Sequence, residues 1–321
     1  MRKKKLGQYF TITNPFNNDL FKEWFGIAYD NIENKIVLEP FAGNKDIVCH
    51  IDELYHNKGL EWDCYDIEPK QDNVRYNDSI QLFPTGYDMV ITNPPYLAKT
   101  SASRLKLPYP DTYYDDVYKL CVHLMLKNCK YIAAIIPESF ITSDLFHDRL
   151  YGVISLNIKM FTDTECPVCL ALFVPRKESD DFVFYVGNNK VGNYNELKKY
   201  NLSEFSKDNV NWKFNDPYGI IGVKCVDNQV SNDIYFHHGD KIKSEDIKVS
   251  SRAFTRISGL PDNIDLDDFI KKCNIILNEY RDKTHDIFLT SFKGLRKDGV
   301  YRRRIDFRTV KCIMNKAIKL Y

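Results

Sequence analysis

The chain has 321 residues, 44% hydrophobic and 28% charged, enough to bury one large core and a smaller one. Its net charge of +1 does not by itself call for a polyanionic partner. With no run of about 18 apolar residues and no secretory stretch behind Met-Arg-Lys-Lys-Lys, a membrane span and export are excluded and the expected setting is the cytoplasm. Nine cysteines, an odd number scattered along the chain, fit reduced thiols better than a disulfide framework.

A basic start leads into Gly7-Gln8-Tyr9-Phe10-Thr11, and Asn14-Pro15 then opens an amphipathic helix through Phe16, Leu20, Phe21, Trp24 and Phe25. Ile36–Phe41 is a short strand, Ala42-Gly43-Asn44 a turn, and Lys45–Tyr55 a helix with Ile47, Val48, Ile51 and Leu54 on one face. A strand at Trp62–Tyr65 delivers Asp66 and Ile67 about 20 residues after the glycine turn, the spacing at which nucleotide-binding βαβ units place a carboxylate for ribose hydroxyls. Asn77-Asp78-Ser79 follows a third strand, and Tyr87–Thr92 is a fourth that ends in Asn93-Pro94-Pro95-Tyr96.

Leu97–Tyr114 is long enough to be a functional loop and is a candidate DNA-facing lid. Beyond it come a helix at Asp115–Lys127, a buried strand at Tyr131–Ile136, a helix at Glu138–Leu150, and closing strands at Val153–Phe161 and Cys166–Val174. The alternation implies an α/β doubly wound, Rossmann-like sheet with a terminal antiparallel strand, over residues 1–175. The charged link Arg176–Asp181 sets the boundary to a smaller α+β domain over 176–321.

Charge is distributed unevenly. Acids outnumber bases before the boundary and bases outnumber acids after it; Lys293 to Lys319 sets a run of lysines and arginines against only Asp298 and Asp306. Lys297-Asp298-Gly299 is the expected tip of a hairpin presenting Arg296, Arg302, Arg303 and Arg304 together, a footprint suited to a phosphate backbone.

The four residues 93–96 carry the chemistry. Each proline fixes its own φ and restricts the residue before it, so Asn93 is held in an extended pose at the carboxyl end of a strand, where open α/β sheets bind ligands. An amine conjugated to a ring is a poor nucleophile. The Asn93 side-chain oxygen and the Pro94 carbonyl would accept its two N–H bonds and localise its lone pair for attack on a sulfonium methyl group.

With these residues the chain resembles the DNA methyltransferases that make N6-methyladenine, in the order that places cofactor motifs first and target recognition last. The resemblance covers about residues 6–175. It implies that Gln8, Tyr9, Phe10 and Thr11 wrap the methionine part of S-adenosylmethionine (AdoMet). It further implies that Glu39, Phe41 and Gly43 form the cofactor loop, Glu39 meeting the ammonium; that Asp66 and Ile67 sit at the ribose, Asp78 at the adenine amine; and that Asn93 to Tyr96 hold the target base. Phe161 is the candidate for stacking on an extruded adenine opposite Tyr96. No metal is implied.

Where the family usually carries a second glycine, this chain has Lys45, followed by Asp46. The implied partners are double-stranded DNA and a cognate restriction endonuclease, with the chain acting as a monomer. The alternatives are an N5-glutamine protein methyltransferase, which shares the four-residue motif, and an RNA adenine methyltransferase, which shares the Gly-Gln-x-Phe leader but places Leu or Ile where Pro94 stands.

Overall fold

The computed structural model describes residues 13–156, 160–161, 166–207 and 210–321. Helix α1 (Asp19–Asn31) begins at Asn18, whose side chain accepts from the Leu20 N–H. It starts later than Asn14-Pro15 because that pair is spent elsewhere: Asn14 Oδ1 accepts from the Phe16 N–H and its amide nitrogen donates to the His50 carbonyl. The buried stripe Leu20, Phe21, Trp24, Phe25 and Ala28 anchors α1, and the Trp24 indole N–H donates to the Phe173 carbonyl at 2.8 Å.

Strand β1 (Ile36–Glu39) leads through the glycine turn to α2 (Asp46–Tyr55), then β2 (Glu61–Asp66) and β3 (Arg75–Tyr76). After β4 (Met89–Thr92) come α3 (Lys99–Leu105), α4 (Val117–Asn128), β5 (Tyr131–Pro137), β6 (Leu150–Leu156) and β7 (Val168–Phe173). Every residue of β4 and β5 is buried, as central parallel strands covered on both faces require.

With β8 (Val183–Val186) and β9 (Asn189–Asn193) the sheet has nine strands in the order β3-β2-β1-β4-β5-β7-β6-β8-β9. Strands β3 to β5 in that order are parallel, and β7 runs antiparallel between β5 and β6, which is the anticipated α/β Rossmann-like sheet with an antiparallel strand. The order grows outward from β1 in one direction to β2 and β3, and in the other to β4 and β5. Right-handed crossovers therefore lie on opposite faces and part between β1 and β4.

Two expectations need correction. Glu138–Leu150 is not a helix: a 3₁₀ turn covers Glu138–Thr142, after which Asp144 (φ 53°) and Phe146 (φ 61°) enter the left-handed region and break any helical ladder. The first compact unit extends to Asn193 rather than to residue 175, because β8 pairs with β6 and carries β9 with it.

The second unit, Tyr194 to Tyr321, is α+β. It opens with the single turn α5 (Tyr194–Leu197) and holds a four-stranded antiparallel sheet of β10 (Lys213–Phe214), β11 (Ile221–Lys224), β12 (Tyr235–His238) and β13 (Phe254–Ser258), ordered β10-β13-β11-β12. Helix α6 (Leu266–Thr284), a hairpin of β14 (Thr290–Leu295) and β15 (Tyr301–Arg304), and α7 (Phe307–Ile318) complete it. Its core joins Ile221, Val223, Phe236 and Ile257 from the sheet to Phe269 and Ile313 from the helices.

Candidate active site

The fork between β1 and β4 gathers the chemistry-bearing residues of the first unit. Glu39 ends β1 at 1% exposure and Thr92 ends β4 at 0%. The Thr92 hydroxyl donates to Glu39 Oε1 at 2.6 Å, and the Phe41 N–H donates to the same oxygen at 3.0 Å. The last residue before the four-residue motif is thus bonded directly to the carboxylate of the glycine turn. Desolvation dominates and pushes the Glu39 carboxyl up to about 8 in spite of those two donors, so the ligand-free group holds its proton at neutral pH. Nothing local in the sequence singles out Thr92; its value comes from strand pairing.

In the turn that follows, Gly43 and Lys45 both take left-handed backbone, at φ 52° and 64°. Glycine adopts this at no steric cost and lysine does not. Asp66, at 4% exposure, stiffens the turn from the neighbouring strand: Oδ2 accepts from the Gly43 N–H at 2.9 Å and Oδ1 from the Glu68 N–H at 2.7 Å. Ile67 is exposed beside it. Asp78 accepts from the Ile80 and Gln81 N–H groups through Oδ1. Asp46 opens α2 with its carboxyl held above the usual range, chiefly by desolvation.

The motif itself is half-buried to buried, with Asn93 and Pro95 partly open. The Tyr96 hydroxyl donates toward Asn93 Oδ1 and lies 2.6 Å from the Ile135 carbonyl oxygen. Its ring meets Tyr118 (6.3 Å, 87°) and Phe161 (6.3 Å, 67°) edge-on. Phe161 is 1% exposed and Tyr96 7%. The structure therefore brings these two rings together edge-to-face, without a parallel slot between them.

The segment 97–116, expected as a loop through Tyr114, holds the short helix α3 and is pinned at its base. Asp116 accepts from the Leu97 N–H at 3.0 Å and caps α4 through the Tyr118 N–H, while the Lys99 N–H donates to the Asp115 carbonyl. Arg104, Lys106 and Tyr113 stand exposed on it.

The four arginines expected to stand together in the second unit do not. The hairpin forms, with Gly299 at φ 82°, but strand alternation turns Arg303 inward to 4% exposure, where it donates to Ser291 Oγ. Arg296 is held by Asp298 and Asn232. Arg302 lies with its guanidinium 5.0 Å from the Phe292 ring centre, and Arg304 is half-buried on the same alternate set.

Gln8, Tyr9, Phe10 and Thr11 lie outside the described residues. Among those residues no group of His, Cys, Asp and Glu could hold a metal ion, and no helix is long and apolar enough to cross a membrane.

Residues 16–151 match the family model of the Eco57I restriction-modification methylase, in line with the resemblance carried by the motifs. No curated protein matches the chain. Among solved structures, a type I restriction-modification methyltransferase subunit from Streptococcus thermophilus is similar at 15% identity and TM-score 0.39, over 56% of this chain and 47% of that one. The type IIG restriction endonuclease BpuSI is similar at 14% identity and TM-score 0.38, over 57% and 27%. A DrdV–DNA complex is similar at 14% identity and TM-score 0.40, over 58% and 28%. The chain thus spans less than half the length of these proteins, and the fold assignment rests on its own strand order.

Proposed function

We propose that this chain, whose residues 16–151 match the Eco57I restriction-modification methylase family model, is an adenine-specific DNA methyltransferase that moves a methyl group from AdoMet to N6 of a flipped-out adenine. One observation carries the reading: the bond from Thr92 to Glu39 joins the strand end bearing Asn93 to the glycine turn, at the fork where doubly wound sheets bind ligands.

The side chains at these strand ends suit the donor. Glu39, Asp66 and Asp78 are acceptors, and AdoMet brings an ammonium, two ribose hydroxyls and an exocyclic amine. When bound, it supplies a methyl group on positively charged sulfur. Glu39 releases its proton to meet the ammonium, Asp66 accepts from the ribose, and Asp78 receives the amine.

Asn93 Oδ1 and the Pro94 carbonyl then accept the two N6–H bonds of the target. Drawing those protons out of the ring plane rehybridises N6 toward sp3, which takes its lone pair out of conjugation and points it toward the methyl carbon. N6 would bond to the methyl carbon as that carbon left the donor with its bonding pair retained on sulfur, and N6 would shed one proton to water. An amine stacked inside a duplex cannot reach the strand ends, so the base leaves the helix at a cost of a few kcal/mol. Tyr96 offers it an apolar ring, with Phe161 edge-on against that ring. The second unit supplies phosphate contacts and target reading.

Expression in cells that lack adenine methylation, followed by mapping of modified bases, tests this. N6-methyladenine at one recurring sequence is the expected result; unmodified DNA alongside methylated RNA or protein glutamine overturns it.

A further inference from the structure

The four-stranded sheet of the second unit covers one face with helices and leaves the other open. Ile221, Val223, Phe236 and Ile257 point into the core with Phe269, so alternation turns Lys224, Tyr235, His237, Phe254 and Arg256 outward. Open faces of antiparallel sheets are ordinarily polar; here two aromatic rings stand on one. Register places them in a single row, because Lys224 of the middle strand pairs with Tyr235 on one side and with Phe254 on the other. In the next row Gly222 pairs with His237 and Arg256. A Cβ on Gly222 would come within 2.4 Å of the His237 ring, so only glycine lets that ring lie down on the sheet.

Walls rise on two sides of this row and enclose a concavity of 640 Å³: the hairpin contributes Phe292 and Arg302, and the loop after β12 contributes Lys241 and Lys243. Lys241 and Lys243 are exposed and make no ion pair among the described residues. Lys224 is paired with Asp233. Of the acids lining the space, Asp227 is buried and spent on Arg281, which leaves Asp246 at the rim. Cations therefore prevail. His237 donates from Nδ1 to the His238 carbonyl at 2.7 Å, so the neutral ring offers Nε2 as an acceptor, and desolvation lowers its pKa from the usual histidine value.

We infer that this face binds a single strand of DNA, with unstacked bases lying on Tyr235 and Phe254 and phosphates held by Lys241 and Lys243. The rings stand two strand spacings apart, about 10 Å, so each takes its own base instead of sharing one between them. Stacking of this kind tolerates any base, while His237 and Asp246 add acceptors able to discriminate at base edges. The choice of DNA over other polyanions rests on the proposed methyltransferase reading.

The test uses the full chain and fluorescently labelled oligothymidylate, read by anisotropy across a salt series. Tyr235 is 42% exposed, so Tyr235→Ala removes no core, and thermal melting checks that the fold is kept. Affinity should fall about tenfold in Tyr235→Ala, within the range for one stacked base. In Lys241→Ala/Lys243→Ala, the slope of log affinity against log salt should shrink by about 1.4, two single-strand phosphates at about 0.7 each. Wild-type affinity and slope in both variants overturns the inference, as does tighter binding of oligouridylate than of oligothymidylate. If these variants behave as wild type while the wild-type chain methylates DNA, the face is wrong and the functional reading stands. Binding that depends on Tyr235 in a chain that methylates no DNA leaves the face standing and defeats the reading.

Discussion

Glu39 is the residue whose titration has the most to say. Its carboxyl is raised to about 8 chiefly because burial desolvates it, and an ammonium ligand binds the ionised form. AdoMet should therefore bind more tightly as pH rises toward 8, with uptake of ligand releasing protons. Calorimetry in buffers of different ionisation enthalpy measures that release, and Glu39→Gln should abolish it along with the pH dependence; proton-neutral binding in the wild type would contradict the assignment. The linked effect on folding has a definite sign. A carboxyl whose folded pKa lies above its unfolded value contributes stability that is fully present below about 4.5 and is lost as pH rises through about 8. Glu39→Gln should accordingly be less sensitive to pH than the wild type across that window in urea melts.

Lys45 is a second residue-scale case, because its left-handed backbone (φ 64°) sits where glycine is at ease. Lys45→Gly should be more stable than Lys45→Ala by about 1 kcal/mol, measured by denaturant unfolding. Equal stabilities would mean that the turn relaxes. The sequence shows a lysine in a glycine's place but not its backbone, which is why Lys45 could be flagged and not explained.

At the scale of elements, the second unit is tied together by one buried ion cluster. Arg281 on α6 donates to both oxygens of Asp227 (3.0 and 2.9 Å) and to both of Asp286 (2.8 and 2.6 Å). Asp227 also accepts from the Asp233 and Arg303 N–H groups, so helix, sheet and hairpin meet at one carboxylate. Removing one partner leaves the other buried and uncompensated, and Arg281→Met should cost about 3–5 kcal/mol in urea unfolding. A loss below about 1 kcal/mol would show that water reaches the site. None of this was legible beforehand, since Asp227 and Arg281 lie far apart in sequence and neither stands in a pattern.

The elements that could be read were those whose signal is local. The turn after β1, the strand before Asn93 and the hairpin tip at Lys297-Asp298-Gly299 declare themselves within a few residues. Glu138–Leu150 misled because Phe140, Ile141 and Leu145 recur at helical spacing while Asp144 and Phe146 adopt backbone that forbids a helix. The arginine run misled for the opposite reason: adjacent residues of a strand face opposite ways, so Arg302 and Arg303 cannot share a surface.

For the whole molecule, the parallel sheet and the gathering of Glu39, Gly43, Asp66 and Asn93 at one set of strand ends followed from motif order, because a βα unit fixes which end of its strand a turn occupies. The limit of the first unit did not, since β8 joins the sheet through β6, a pairing no short window contains. The architecture of residues 194–321 rests on long-range antiparallel pairings and was likewise closed to inspection. What the two units do together comes down to whether the Asn93 oxygen governs methyl transfer without governing DNA affinity. The direct measurement is the single-turnover methylation rate of Asn93→Ala beside its DNA dissociation constant. A rate lower by about 10²–10³ at an unchanged dissociation constant is the predicted result, whereas methylation at the wild-type rate would contradict the mechanism.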